Sequence, residues 1–371
     1  MEMVKLRNSS FSNAYSSRSV YSFIIYLLLI STNANGFSRT IQLPTSGLFR
    51  NTSCPSKTLV LNINDFGAKG DGFTDDTKTL EYVWTRACSS SSACSSSSSR
   101  AKIVIPAGKF YLVRPIDFAG PCHSKVTLRI SGTIVSPRDP EVWEGLNIHR
   151  WLYFHGVKDL IIEGGGLIDG SGKEWWARSC KINTTNQPCT HAPTAITFHR
   201  CKNLKVRNLT TINSQQMHMA FTACVRVAVS RVNVIAPADS PNTDGIHISA
   251  SKRVNLNNII VSTGDDCISI VSNSSRIRMK NIVCGPGHGI SIGSLGKANS
   301  PASVQDVSLD GAYLFNTENG LRIKTWQGGS GFARKIIFQN VWMTNVSNPI
   351  IIDQYYCDSS VTCPNQVPDL L

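Results

Sequence analysis

Acidic residues are scarce in this chain: 24 Asp plus Glu stand against 37 Lys plus Arg, and only 16% of its 371 residues are charged. The net charge of +13 is not concentrated, because no run of five or more basic residues occurs. That excludes a basic nucleic-acid arm and leaves a diffuse positive field suited to an anionic partner. Apolar runs of bilayer length are missing too; the run from Val20 to Ile30 is about half of the ~20 residues needed to span. The 12 cysteines include no Cys-x-x-Cys pair and no Cys/His cluster at zinc spacing, which excludes a zinc-scaffolded fold. With 41% hydrophobic residues the chain can still bury a sizeable core.

Residues 1–36 read as a cleaved signal peptide: Lys5, Arg7 and Arg18 precede the apolar run, and the small residues Ala34 and Gly36 follow it. No linker divides the remainder, so one domain over residues 37–371 is expected. Export to an oxidising compartment accounts for the cysteines as disulfides. Cys180 with Cys189 and Cys357 with Cys363 would close short loops, and Cys267 with Cys284 would tie neighbouring segments. Sequons at Asn51, Asn183, Asn208, Asn273 and Asn345 fit a secreted glycoprotein.

From about residue 120 the chain repeats itself. Leu204-x-Val206-x-Asn208-Leu209 returns as Val254-x-Leu256-x-Asn258-Ile259, Ile277-x-Met279-x-Asn281-Ile282 and Ile336-x-Phe338-x-Asn340-Val341, with looser copies from Val227 and Val307. Successive starts lie 23, 27, 23, 30 and 29 residues apart, the period of a solenoid. A second family of short strands recurs between them: Ile246/Ile248, Ile268/Ile270, Ile290/Ile292, Leu321/Ile323 and Ile350/Ile352. Helical 3.6-residue periodicity is absent from this part, so the expected fold is all-β, a right-handed single-stranded parallel β-helix whose inward side chains form ladders. The recurring Asn would be one ladder at a turn. Upstream, Val60 to Phe66 reads as a strand. Asp75 and Asp76 would cap a helix carrying Leu80, Val83, Trp84 and Ala87 on one face, placed to cover the N-terminal end of the solenoid. Ser89 to Ser99 reads as a flexible loop.

Two residues before the first apolar position of three successive short strands stand Asp244, Asp266 and His288, spaced 22 residues apart both times. Equal spacing and phase put them in one column on adjacent coils, with Asp265 beside Asp266. Arg322 and Lys324 of the next copy alternate with its apolar residues and point to the solvent side. Carboxylates so close cannot all keep ordinary pKa values. One protonated and one ionised carboxyl is what glycoside hydrolysis requires, and cations nearby would grip an anionic sugar.

Asn242-Thr243-Asp244, Gly264-Asp265-Asp266-Cys267, Gly287-His288-Gly289 and Arg322-Ile323-Lys324 resemble, in order and spacing, the four signature motifs of the polygalacturonases, glycoside hydrolase family 28. The resemblance covers about residues 58–366 and includes Asp65-Phe66-Gly67-Ala68. It implies a pectin-lyase-like solenoid with a catalytic core over about 190–357. The implied reaction is hydrolysis of α-1,4 galacturonosyl bonds of pectin with inversion, and no metal or other cofactor is expected. Carried over, Asp265 is the general acid, Asp244 and Asp266 activate water, and His288 supports the acid. Arg322 and Lys324 would hold a substrate carboxylate, Asn242 would touch the sugar, and Tyr356 would line the same subsite, although a slip of one residue exchanges it with Tyr355. The expected partner of this secreted, cell-wall monomer is an anionic polysaccharide; nucleic acid and membrane are not expected. Family members continue for several strands past the Tyr motif, so the C-terminal coils are expected to be truncated in this chain. A pectate lyase would need a calcium-binding carboxylate cluster and an Arg or Lys base. A rhamnogalacturonan hydrolase and an inactive polyuronide-binding paralogue are the other readings.

Overall fold

The computed structural model describes residues 58–91, 99–181, 191–357 and 363, together with short strands at Lys5–Arg7 and Asp369–Leu370. The expected signal peptide, the serine loop over 92–98, and the sequons Asn51 and Asn183 lie outside them. Sequons Asn208, Asn273 and Asn345 are exposed. Among the described residues no helix is long and apolar enough to cross a membrane.

The long strands Lys202–Ile212, Val225–Ile235, Lys252–Ser262, Ser274–Cys284, Pro301–Phe315 and Ser330–Thr344 pair in parallel, each with the next. Short strands form a second, nine-stranded parallel sheet from Ile116–Ala119 to Asn348–Tyr356. Chain that alternates between two parallel sheets and advances one strand per turn is a right-handed parallel β-helix.

The apolar spacing explains the bend in each long strand. Leu204, Val206 and Leu209 are all buried, yet they are two and then three residues apart, which strict alternation cannot deliver. The extra residue is Asn208, whose φ of 50° turns the backbone left-handed and resets the phase. Asn258, Asn281 and Asn340 do the same at φ 55°, 54° and 55°. Asn is the non-glycine residue best suited to that conformation. The expected ladder forms in part: Asn281 Nδ2 donates to Asn258 Oδ1 at 3.0 Å, and Asn340 Nδ2 to Asp310 Oδ1 at 2.7 Å.

Inward ladders fill the coil. Phe118, Phe154, Phe198 and Phe221 are in register and continue as Ile248, Ile270, Ile292 and Ile323. Neighbouring rings stack with centroids 4.3, 5.2 and 5.1 Å apart. Phe198→Leu keeps the position apolar but loses two ring contacts, and should destabilise by about 1–2 kcal/mol in urea unfolding.

The helix Thr77–Ser89 buries Leu80, Val83, Trp84 and Ala87 as expected. Other upstream expectations need correction. The strand ends at Asn62, whose side chain accepts from Asn64 N and opens a 3₁₀ turn over Ile63–Phe66. Asp76 makes no side-chain cap; its carboxylate oxygens accept from Lys69 N at 2.7 Å and Gly70 N at 3.0 Å, tying down the preceding loop. Only Asp75 reaches the helix start, accepting from Thr77 N. Disulfides Cys267–Cys284 and Cys357–Cys363 are present, and Cys180 is disulfide-bonded to a residue outside the described set. Cys88–Cys122 is an additional bridge, while Cys201 and Cys224 are buried free thiols.

Candidate active site

Register builds the site. Ile246, Ile268 and Ile290 are aligned, so Asp244, Asp266 and His288 precede them at equivalent places on three adjacent coils. The turns carrying them are fixed by buried hydroxyls: Thr243 Oγ1 lies 2.6 Å from Ser240 Oγ and accepts from Gly264 N at 3.1 Å, and the Thr263 hydroxyl donates to the Thr243 carbonyl. Gly264 permits this approach, because a Cβ there would stand 2.0 Å from the Ser240 carbonyl oxygen. Gly289, at φ 85°, would place a Cβ 2.1 Å from the Asn319 carbonyl oxygen. The Cys267–Cys284 bridge anchors the residue that follows the Asp pair.

The three carboxylates have different partners. Asp265 Oδ1 is 3.2 Å from His288 Nδ1, and His288 Nε2 is 3.3 Å from Glu318 Oε2. Asp266 Oδ1 accepts from Ser291 Oγ at 2.6 Å and Arg322 Nη2 at 2.8 Å, and its Oδ2 accepts from Lys324 Nζ at 3.2 Å. Among the described residues, Asp244 Oδ2 accepts only from Ser269 Oγ, at 2.7 Å.

Their proton affinities diverge accordingly. Burial, followed by the charges of Asp265 and Asp266, pushes Asp244 well above the usual carboxylate range. Burial also works to raise Asp265, but the hydrogen bond and charge of His288 outweigh it and leave that carboxyl below its ordinary value. The same hydrogen bond lifts His288 above its ordinary value against burial. His247, 2.8 Å from Ser269 Oγ through its Nδ1, is brought down to about 4 by burial.

Arg322 and Lys324 depart from the open cationic face expected of them. Both lie outside the coil, but their side chains are only 13% and 9% exposed, because each is paired to Asp266. Tyr356 adjoins them: Lys324 Nζ sits 5.1 Å from its ring centroid, and Trp326 meets it edge-on at 5.6 Å. Tyr355 is half exposed and not part of the cluster. Asn242, at φ 53°, lines a small cavity with Trp175 and Gln215. Ser269, Ser291, His247 and Glu318 were not anticipated. The first two were readable, since Ile268-Ser269-Ile270 and Ile290-Ser291-Ile292 set a hydroxyl outward on consecutive coils. Asp265, Asp266 and His288 hold ligand atoms within 4.8 Å of one another, a spacing a metal ion could bridge, but both Asp266 oxygens already serve Arg322 and Lys324.

Adjacent carboxylates of unequal proton affinity, set on the outer wall of a parallel β-helix with a histidine and paired cations, define a carboxylate-catalysed glycoside hydrolase. The sequence profile of glycosyl hydrolases family 28 matches residues 94–368, and the chain belongs to that family. It is 56% identical over 339 residues to a probable polygalacturonase of Arabidopsis thaliana, covering 91% of this chain and 74% of the relative. Identity to a polygalacturonase of Persea americana is 52% over 306 residues, covering 82% of this chain and 64% of that one. In fold it is similar to a hyperthermoactive exopolygalacturonase from Thermotoga maritima, with a TM-score of 0.69 at 22% identity over 85% of this chain and 81% of the other.

Proposed function

We propose that this chain hydrolyses the α-1,4 bonds between galacturonic acid units of pectic homogalacturonan by an inverting acid–base mechanism in the plant cell wall. The observation that carries this reading is the opposed proton affinities of Asp244 and Asp265 beside Asp266, which is paired with two cations next to an aromatic ring. Asp265, with His288 at 3.2 Å, forms a pair that shares a proton and can deliver it to the leaving oxygen. Asp266, paired with Arg322 and Lys324, takes the proton of the attacking water, with Asp244 beside it. The bound disulfides and the exposed sequons at Asn208, Asn273 and Asn345 support export. The names borne by the relatives from Arabidopsis and Persea support the substrate.

The test is incubation with polygalacturonate. New reducing ends support hydrolysis, a product absorbing in the ultraviolet indicates a lyase, and neither indicates a binding protein.

Donors remain for the substrate. Lys324 gives one N–H to Asp266 and Arg322 gives two, to Asp266 and Ser291, so both can also hold a sugar carboxylate. Lys324→Ala should raise KM for polygalacturonate roughly 10- to 100-fold, the worth of a charged hydrogen bond, and raise it much less for the fully methyl-esterified polymer. Equal losses on both substrates would remove the carboxylate from the role.

A further inference from the structure

A groove of about 960 Å³ contains none of the residues of the carboxylate cluster. It runs across the outer face of the long-strand sheet. Leu204, Val227, Val254 and Ile277 are in register, so the residues before them, Asn203, Arg226, Arg253 and Arg276, occupy one column on consecutive coils; the first three line the groove and Arg276 stands on the coil after them. The coil spacing is ~4.8 Å.

This column is costly in two ways. Arg226, Arg253 and Arg276 are exposed at φ 62°, 62° and 58°, a left-handed conformation in which Asn is enriched and Arg is not. The first member, Asn203, shows what such a position ordinarily holds. Like charges on adjacent strands also repel. Asp306 continues the column next to Arg276 and faces its charge at that end, but no carboxylate among the described residues lies within 4.0 Å of the three guanidiniums. The acids in the groove are engaged elsewhere: Glu163 with Arg207 at 2.6 Å, and Asp159 with Asn203 Nδ2 at 2.9 Å. Exposed Lys205 and Lys252 add positive charge beside the column, and Arg278 extends it.

We infer that the Arg226/Arg253/Arg276 ladder is a second, non-catalytic binding site for a polyuronide, which lies along the helix axis and tethers the protein to its polymer. A chain with one carboxylate on each sugar repeats its charge at a spacing comparable to the coil rise, and a guanidinium can pair with a carboxylate through two parallel bonds. Single-stranded nucleic acid fits less well, because no aromatic side chain lines the groove to stack a base. The choice of ligand rests on the proposed function; the existence of the anion site does not.

The experiment compares three proteins on immobilised polygalacturonate, each carrying Asp265→Asn so that the gel is not consumed. They are the parent, the triple variant Arg226→Gln/Arg253→Gln/Arg276→Gln, and the charge-matched control Lys78→Gln/Arg86→Gln/Lys173→Gln. The ladder variant should lose roughly tenfold in retention, as three exposed pairs would give, and the loss should shrink as salt rises. The control should stay within about twofold of the parent on the same scale. Without Asp265→Asn, the ladder variant should cleave trigalacturonate at the wild-type rate. Unchanged retention, an equal loss in the control, or a larger loss on poly-thymidine than on polygalacturonate overturns the proposal. If no form cleaves trigalacturonate, the catalytic reading fails while the retention comparison still decides the ladder.

Discussion

Asp265→Asn is expected to leave the fold intact and to cut turnover of polygalacturonate by a factor on the order of 10² to 10⁴, the usual worth of a positioned proton donor. The fold survives because the amide oxygen can still accept from Asp266 N, now at 2.7 Å, and face His288. Turnover fails because the other carboxyls are placed differently: Asp266 is engaged by Arg322 and Lys324, Asp244 accepts from Ser269, and Glu318 meets His288 only through Nε2, on the ring edge away from Asp265, with its side chain 57% exposed. The pair also sets the pH dependence. At low pH the Asp265–His288 pair is fully protonated, and the alkaline limb of activity should follow the loss of its last proton, above the ordinary histidine value because His288 is raised. Reducing-end assays across pH, with unfolding curves for the variant, check both parts. A folded Asp265→Asn protein with near-normal turnover removes Asp265 from the acid role.

The raised proton affinity of Asp244 gives the site an asymmetry that the motif spacing alone does not contain. In the free protein the buried carboxyl without a cationic partner keeps its proton most tightly, while the one facing a histidine gives it up. A saccharide that excludes water from the cleft weakens solvation of the Asp265–His288 ion pair and favours its neutral form, with the proton on Asp265. In the proposed mechanism, substrate binding would thereby move the proton to Asp265, the proposed donor.

The fold was legible because a solenoid repeats its evidence. Leu204, Val206 and Leu209 define an apolar pattern, and five further copies fix its period and the register that aligns Asp244, Asp266 and His288. Interactions that cross coils without repeating were not legible. Arg322 and Lys324 reach Asp266 across 56 and 58 residues, and outward phase alone could not say whether they met solvent or a carboxylate. Asp76 looked like a helix cap because its neighbours in sequence are a helix start, but its oxygens turn back to Lys69 and Gly70. Cys88–Cys122 joins a helix end to a turn that occurs once, so no spacing announced it.

Asp266→Asn should be the most destabilising change in the cluster, at about 3–5 kcal/mol, as well as inactivating. The Asp266 side chain is 3% exposed, and it makes the ion pairs of Arg322 and Lys324, which are themselves nearly covered. Replacing the carboxylate by an amide keeps the shape but leaves two nearly covered cations without the anion they are paired to, and the amide nitrogen can only repel the one it meets. Asp265→Asn creates no such pair of orphaned charges, since its partner His288 can release its proton and also faces Glu318. Urea unfolding of the two variants side by side checks the contrast, with a second measurement to assign its cause: adding Lys324→Met to Asp266→Asn should recover part of the loss by removing one uncompensated cation. Equal stability of the Asp265 and Asp266 variants, or no recovery in the double variant, would show that the Arg322–Asp266–Lys324 cluster is solvated and that its charges are not what holds these coils together.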